Sequence, residues 1–141
     1  MKQRILMLAF ITLSAACANA QIKAPIAVRK AFETKFATAT DVKWGKENKN
    51  EYEADFKMDG KKYSANFLTD GSWKETEAQI ETSELPPAVA TAYKSKHSIA
   101  AIKMAAKIES VNGQTKYEIE YKDGNKTKEV LFDENGKAAK E

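Results

Sequence analysis

Glu51–Trp73 reads EYEADFKMDGKKYSANFLTDGSW, and its alternation decides the fold. Tyr52, Ala54, Phe56 and Met58 fall on one phase, and Glu51, Glu53, Asp55 and Lys57 on the other. A period of two with charges on alternate positions predicts a half-buried antiparallel strand. Asp59-Gly60 suits the positive backbone angles of a tight hairpin turn. Tyr63, Ala65 and Phe67 then resume the apolar phase while Lys62, Ser64 and Asn66 occupy the polar one. Asp70-Gly71 predicts a second turn, and Trp73 opens the next strand. One side of this sheet needs a cover, and the other side can stay wet.

A looser copy of the stretch returns as KYEIEYKDGNKTKEVLFDENGK, Lys116–Lys137. At an offset of 65, Tyr52 aligns with Tyr117, Phe56 with Tyr121, Phe67 with Phe132 and Gly71 with Gly136. A short amphipathic helix precedes each copy. Pro25 starts the first, where Val28, Ala31, Phe32 and Phe36 recur at helical spacing. Leu85-Pro86-Pro87 starts the second, with Val89, Ala92 and Tyr93 standing where Val28, Ala31 and Phe32 stand in the first. Between each helix and its hairpin lies one further strand: a short one at Val42-Lys43-Trp44, and a longer one in Ile99–Val111 that alternates through Ile102, Met104, Ala106 and Ile108. Trp73–Ile80 reads as a strand through Thr76, Ala78 and Ile80, although its composition also permits a helix. Asn112-Gly113, Asp123-Gly124 and Asn135-Gly136 predict the later turns.

The expected fold is therefore α+β: a tandem repeat of a helix followed by antiparallel strands, with the helices packed on one face of the sheet. The expected division is residues 21–82 for the first unit and 83–141 for the second. Whether the two units share one sheet or stack as separate lobes stays open at this level.

Residues 1–20 are expected to be a signal peptide. Lys2 and Arg4 give a positive start, Ile5–Leu13 is a short apolar run, and Ala18-Asn19-Ala20 places cleavage between Ala20 and Gln21. The run is well short of the roughly 20 residues needed to span a bilayer. A competing reading makes Cys17 a lipidated first residue, but Ser14 stands where such signals carry an apolar residue. Cleavage at Gln21 removes the one cysteine of the chain, so disulfides would contribute nothing and a packed core must supply stability. It also removes two of the 23 basic residues against 20 acids, leaving a net charge close to zero and no electrostatic footprint for nucleic acid. The implied location is periplasmic or secreted.

The residues quoted above resemble the β-lactamase-inhibitor-like, PepSY-like secreted proteins found largely in Bacteroidetes. The resemblance rests on Ala31-Phe32 after the proline, Val42-Lys43-Trp44, Tyr52–Phe56, Asp70-Gly71-Ser72-Trp73, Leu85-Pro86, and Phe132-Asp133 with Asn135-Gly136. It implies tandem PepSY-like units, a periplasmic or outer-surface location, and a role in binding or inhibiting another protein. It carries no catalytic residue to this chain.

A direct search for chemistry returns little. His97 is the single histidine, which excludes histidine clusters for a metal, and its place at a helix end suits a cap. No G-x-S-x-G elbow occurs. Glu51, Glu53 and Asp55 fall on the phase read as solvated, where acids lack the burial that raises a pKa. Asp133–Gly136 lacks the remaining ligands of a calcium loop and reads as a turn. Asn125-Lys126-Thr127 fits a glycosylation sequon, which the bacterial-type leader makes a chance match. No catalytic, cofactor or metal residue is therefore expected. Trp44 and Trp73, at strand ends near turns, either close the core or anchor a partner. The expected function is a non-catalytic module binding a protein or peptide of the cell envelope, in the manner of an inhibitor. The alternatives are a small-ligand or metal-binding periplasmic protein and a carboxylate-based hydrolase, the last requiring a concave site with at least two acids of perturbed pKa.

Overall fold

The computed structural model describes residues 22–97 and 102–140. The leader and both cleavage positions, Ala20 and Gln21, lie outside the described residues, as does Cys17. The described residues form α1 (Ile26–Lys35), β1 (Thr40–Asn48), β2 (Glu51–Met58), β3 (Lys61–Leu68), β4 (Trp73–Ile80), a 3-10 turn, α2 (Pro87–Lys96), β5 (Ile102–Ser110), β6 (Thr115–Asp123) and β7 (Lys126–Asp133). All seven strands make one antiparallel sheet in chain order. β4 pairs with β5, Glu77 opposite Ile108 and Ala78 opposite Lys107, so the sheet runs unbroken from one half to the other. That settles the question the sequence left open. β1 is also longer than the Val42–Trp44 segment suggests, because pairing with β2 extends it from Thr40 to Asn48. The ambiguous segment after Trp73 is a strand: Asn66, Ala65 and Ser64 of β3 pair with Glu75, Thr76 and Glu77.

Each helix contributes to its own core. Val28 and Phe32 of α1, with Phe36 just beyond it, cluster with Ala54, Phe56, Ala65 and Phe67. The Phe32 ring stands edge-on to Phe56 at 5.0 Å and to Trp44 at 5.3 Å. Val89 and Tyr93 of α2 cluster with Ala105, Tyr117, Ile119, Tyr121 and Phe132. Tyr93 meets Tyr121 edge-on at 5.7 Å, and His97, the C-cap residue of α2, stacks on Tyr93. Neither helix has a side-chain N-cap or an acidic first turn, and each is ten residues long. Helices of that length are marginal alone, so their burial against the strands holds them.

Two glycines fix how closely the turns approach the helices. At Gly71 (φ 92°) an added Cβ would lie 2.8 Å from the Ala27 carbonyl oxygen, and at Gly136 (φ 76°) 2.4 Å from that of Ala88. Only glycine meets both the left-handed backbone and the contact. The strand after each turn keeps the same register, since Phe67 pairs with Trp73 and Phe132 bridges Ala138.

Candidate functional site

The strand residues that share a core with the helices define one face of the sheet, so their neighbours in sequence point to the other. No helix among the described residues covers that second face. Pairing places Asp55, Ser64, Glu77 and Ile108 in one row across it, and Glu53, Asn66 and Glu75 in the next. Ala106 and Glu118 sit opposite each other farther along. In β5 the phase expected from sequence holds for Met104, Ala106 and Ile108, but they belong to the uncovered face. Ala105 and Ile102 join the second core instead. A register shift between Ile102 and Met104 moves the two residues onto opposite faces.

Much of this face is withdrawn from water, although Asp55, Lys62 and Gln79 stay exposed. Glu51, Ser64, Asn66, Glu118 and Glu120 are all buried, and Ala106 is fully so, although no helix lies above them. Glu51 is buried and Glu53 half-buried, which corrects their reading as solvated, whereas Asp55 stays exposed as expected. The reading of Glu118 and Glu120 as outward in water is corrected likewise. The physical cause is curvature. Register shifts in the β1–β2, β3–β4 and β5–β6 pairs bend the sheet, and long side chains converge on its inner surface. The result is a depression of about 770 Å³ whose lining includes Lys43, Asp55, Lys62, Glu77, Gln79 and Met104.

Burial without charge neutralisation perturbs the acids. Glu77 is pushed up to about 9, first by loss of water and then by Glu118, Glu53, Glu75 and Glu129 around it. Glu53 is raised to about 7 by burial and by Asp55, Glu47 and Glu51, against a hydrogen bond from Ser64 that favours its ionised form. Asp55 is raised by burial, with Lys43 opposing. At neutral pH, Glu77 is therefore mostly protonated and Glu53 about half so. The rim differs. Glu51 accepts from Lys74 Nζ at 2.8 Å and from Asn48 Nδ2 at 2.9 Å, and Glu120 pairs with Lys103. Among the described residues no ion pair reaches Glu53, Glu75 or Glu77. No group of three His, Cys, Asp or Glu side chains there is placed to hold a metal ion.

Trp44 and Trp73 stand on the other side of the sheet, half-buried against the first core. Trp73 Nε1 donates to Thr76 Oγ1 at 2.9 Å, and Lys35 Nζ lies 3.8 Å above its ring. The Asp133–Gly136 segment is a turn in which Asp133 Oδ1 accepts from the Asn135 and Lys137 amides. Sequence reasoning missed Asn66, Glu75 and Glu77 as site residues. The available signal was phase: the polar positions of β2, β4 and β6 are acidic in succession.

A β-lactamase-inhibitor-like, PepSY-like family, described in full as "Putative beta-lactamase-inhibitor-like, PepSY-like", matches residues 50–140, more than half of the chain. The chain belongs to this family. Several solved structures share the fold of this PepSY-like protein. One described as a "putative periplasmic" protein of Bacteroides eggerthii superposes with a TM-score of 0.77 at 24% identity, covering 84% of this chain and 88% of its own. A DUF2874 family protein of Bacteroides uniformis gives 0.76 at 24% identity, with the same coverage. A BLIP-like protein of Bacteroides fragilis gives 0.71 at 25% identity, covering 86% of each chain. A search of curated proteins returns no significant match. No helix among the described residues is long and apolar enough to cross a membrane.

Proposed function

We propose that this PepSY-like protein is a non-catalytic module that binds a protein or peptide of the cell envelope on the uncovered face of its sheet. The observation that carries the reading is a recessed face, partly shielded from water yet left without a covering element among the described residues. Its apolar members Met104, Ala106 and Ile108 lie among the acids, a mixture of apolar floor and polar groups suited to a partner. In this reading residues 21–82 and 83–141 are two copies of one helix-then-strands unit, joined edge to edge so that both contribute strands to the same surface. The matched contacts of Gly71 with Ala27 and of Gly136 with Ala88 support duplication. Residues 1–20 serve as a signal peptide cleaved between Ala20 and Gln21, which places the mature protein in the periplasm or outside the cell. The "periplasmic" description of a structural neighbour supports that placement. Inhibition of an envelope enzyme is one form such binding takes, and the BLIP-like neighbour supports it. Trp44 and Trp73 are candidate contacts for a partner that reaches around the β1 edge.

The test is affinity capture from an envelope extract with three baits: the unaltered protein, Gln79→Trp, which fills the depression, and Thr34→Trp on the exposed side of α1. Loss of a captured species with Gln79→Trp alone supports the reading. Equal capture by all three, or loss only with Thr34→Trp, refutes it.

A second reading has a specific observation in its favour. A recessed surface with Asp55 and Glu77 both raised meets the requirement set for a carboxylate-based hydrolase. Turnover of an envelope-derived peptide or glycan, lost in Glu77→Gln, would replace the binding reading with that one.

A further inference from the structure

We infer that the uncovered face receives arginine or lysine side chains projecting from a partner protein, held among Glu53, Asn66, Glu75 and Glu77. The inference rests on the binding reading above and names the chemistry of its partner. Charge complementarity is the first argument. The exported chain is expected to be almost neutral, yet this face gathers Glu53, Glu75 and Glu77, which no ion pair among the described residues reaches.

Asn66 supplies the second, independent argument. The residue is 7% exposed, and pairing sets it between Glu53 and Glu75 on the uncovered face. Its Oδ1 is fully buried and has no hydrogen-bond partner. An acceptor held from water without a donor is costly, by roughly 1–3 kcal/mol. A donor arriving with a ligand removes that cost. The row Glu53–Asn66–Glu75 offers acceptors along about 10 Å, two inter-strand spacings. A guanidinium carries five donors and no acceptor, and it matches such a row better than any neutral side chain.

Binding of a cation then competes with binding of protons. Glu77 is faced by Glu53 and Asp55 from β2, Glu118 from β6 and Glu129 from β7, with Glu75 on its own strand. Glu53 is faced by Glu47 from β1, accepts from Ser64 of β3, and has Asp55 and Glu51 along β2. Lys43 and Lys62 line the depression, Lys43 opposite Asp55, and Lys57 is engaged by Asp41 at 2.8 Å. A docked cation stabilises the ionised carboxylates, so association releases protons and tightens as pH rises. One carboxyl titrating near 7 and ionised in the complex makes binding about tenfold tighter at pH 8 than at pH 6.

The experiment measures fluorescence anisotropy of a labelled Gly/Arg-repeat peptide and of its citrulline counterpart, at pH 6 and pH 8. It is run on the unaltered protein, Glu53→Gln, Glu77→Gln and, as control, Glu33→Gln on α1. The inference expects the arginine peptide to bind at least tenfold tighter than the citrulline peptide. It expects the pH effect to shrink in Glu53→Gln and to persist in Glu33→Gln. Equal binding of both peptides overturns the cation assignment and leaves the binding face standing. No binding of the arginine peptide at either pH also overturns it, while the Gln79→Trp capture experiment judges the binding face separately. Displacement by spermine at concentrations matching the peptide's own affinity assigns the face to small cations and overturns the protein segment.

Discussion

Replacing Glu77 with glutamine should stabilise this protein, and the gain should depend on pH. In the folded chain Glu77 is raised from 4.5 to about 9, with burial the largest cause. Between those values the unfolded chain gives up the proton and the folded chain keeps it. The unfolded state then binds fewer protons, so stability falls as pH rises through this window. At pH 7 about 2.5 units of the window have been crossed, which corresponds to about 3 kcal/mol of lost stability. Glutamine keeps the shape and carries no ionisation, but it forfeits the carboxyl O–H donor, worth about 1 kcal/mol. The net gain at pH 7 is about 2 kcal/mol and is larger at pH 8.5, whereas at pH 4, with no ionisation to relieve, the substitution costs about 1 kcal/mol. Urea unfolding followed through Trp44 and Trp73 fluorescence reads it directly. With a slope of roughly 2 kcal/mol/M, the midpoint should move up by about 1 M at pH 7. An unchanged midpoint at pH 7, or the same gain at pH 4, would refute the claim that Glu77 is held protonated by the sheet.

Gly71→Ala and Gly136→Ala should each destabilise by about 2 kcal/mol or more, because strained backbone is added to a collision with a helix carbonyl. Gly60→Ala, equally left-handed but open around its Cβ, should cost about 1 kcal/mol, and thermal melts compare the three. Lys74→Met should destabilise by about 1–2 kcal/mol, since it leaves the buried Glu51 carboxylate with Asn48 alone, and Glu51→Gln in the same chain should restore part of that in urea titrations. Trp44→Ala should lower stability by about 3 kcal/mol through loss of the Phe32 contact. If Trp44 and Trp73 also touch the partner, capture at a temperature where both alanine variants stay folded should weaken, and undiminished capture assigns them to the core alone.

The fold was legible because alternation is local. Tyr52, Phe56, Tyr63 and Phe67 declare their face within a few residues, and Asp59 adopts the left-handed conformation (φ 52°) its turn demands. The single sheet was not legible, because β4 and β5 are joined only after a helix has intervened, and their pairing is a long-range choice. The chemistry of the uncovered face was hidden for the same reason. Glu53 and Glu77 are separated by a strand and two turns in sequence, and only curvature turns a row of polar positions into a recess that water leaves. The bulge at Ile102–Met104 has no composition signature, so Met104 and Ile108 could not be assigned to that face from their spacing alone.

The direct measurement is methyl-labelled NMR of the protein with and without the partner captured from the envelope. Met104, Ile108 and Leu131 report on the uncovered face, and Val28, Val89 and Ile119 on the two cores. Binding on the uncovered face predicts that the first set shifts while the second keeps its positions. Shifts confined to Val28 and Val89, with Met104 and Ile108 unmoved, would contradict it.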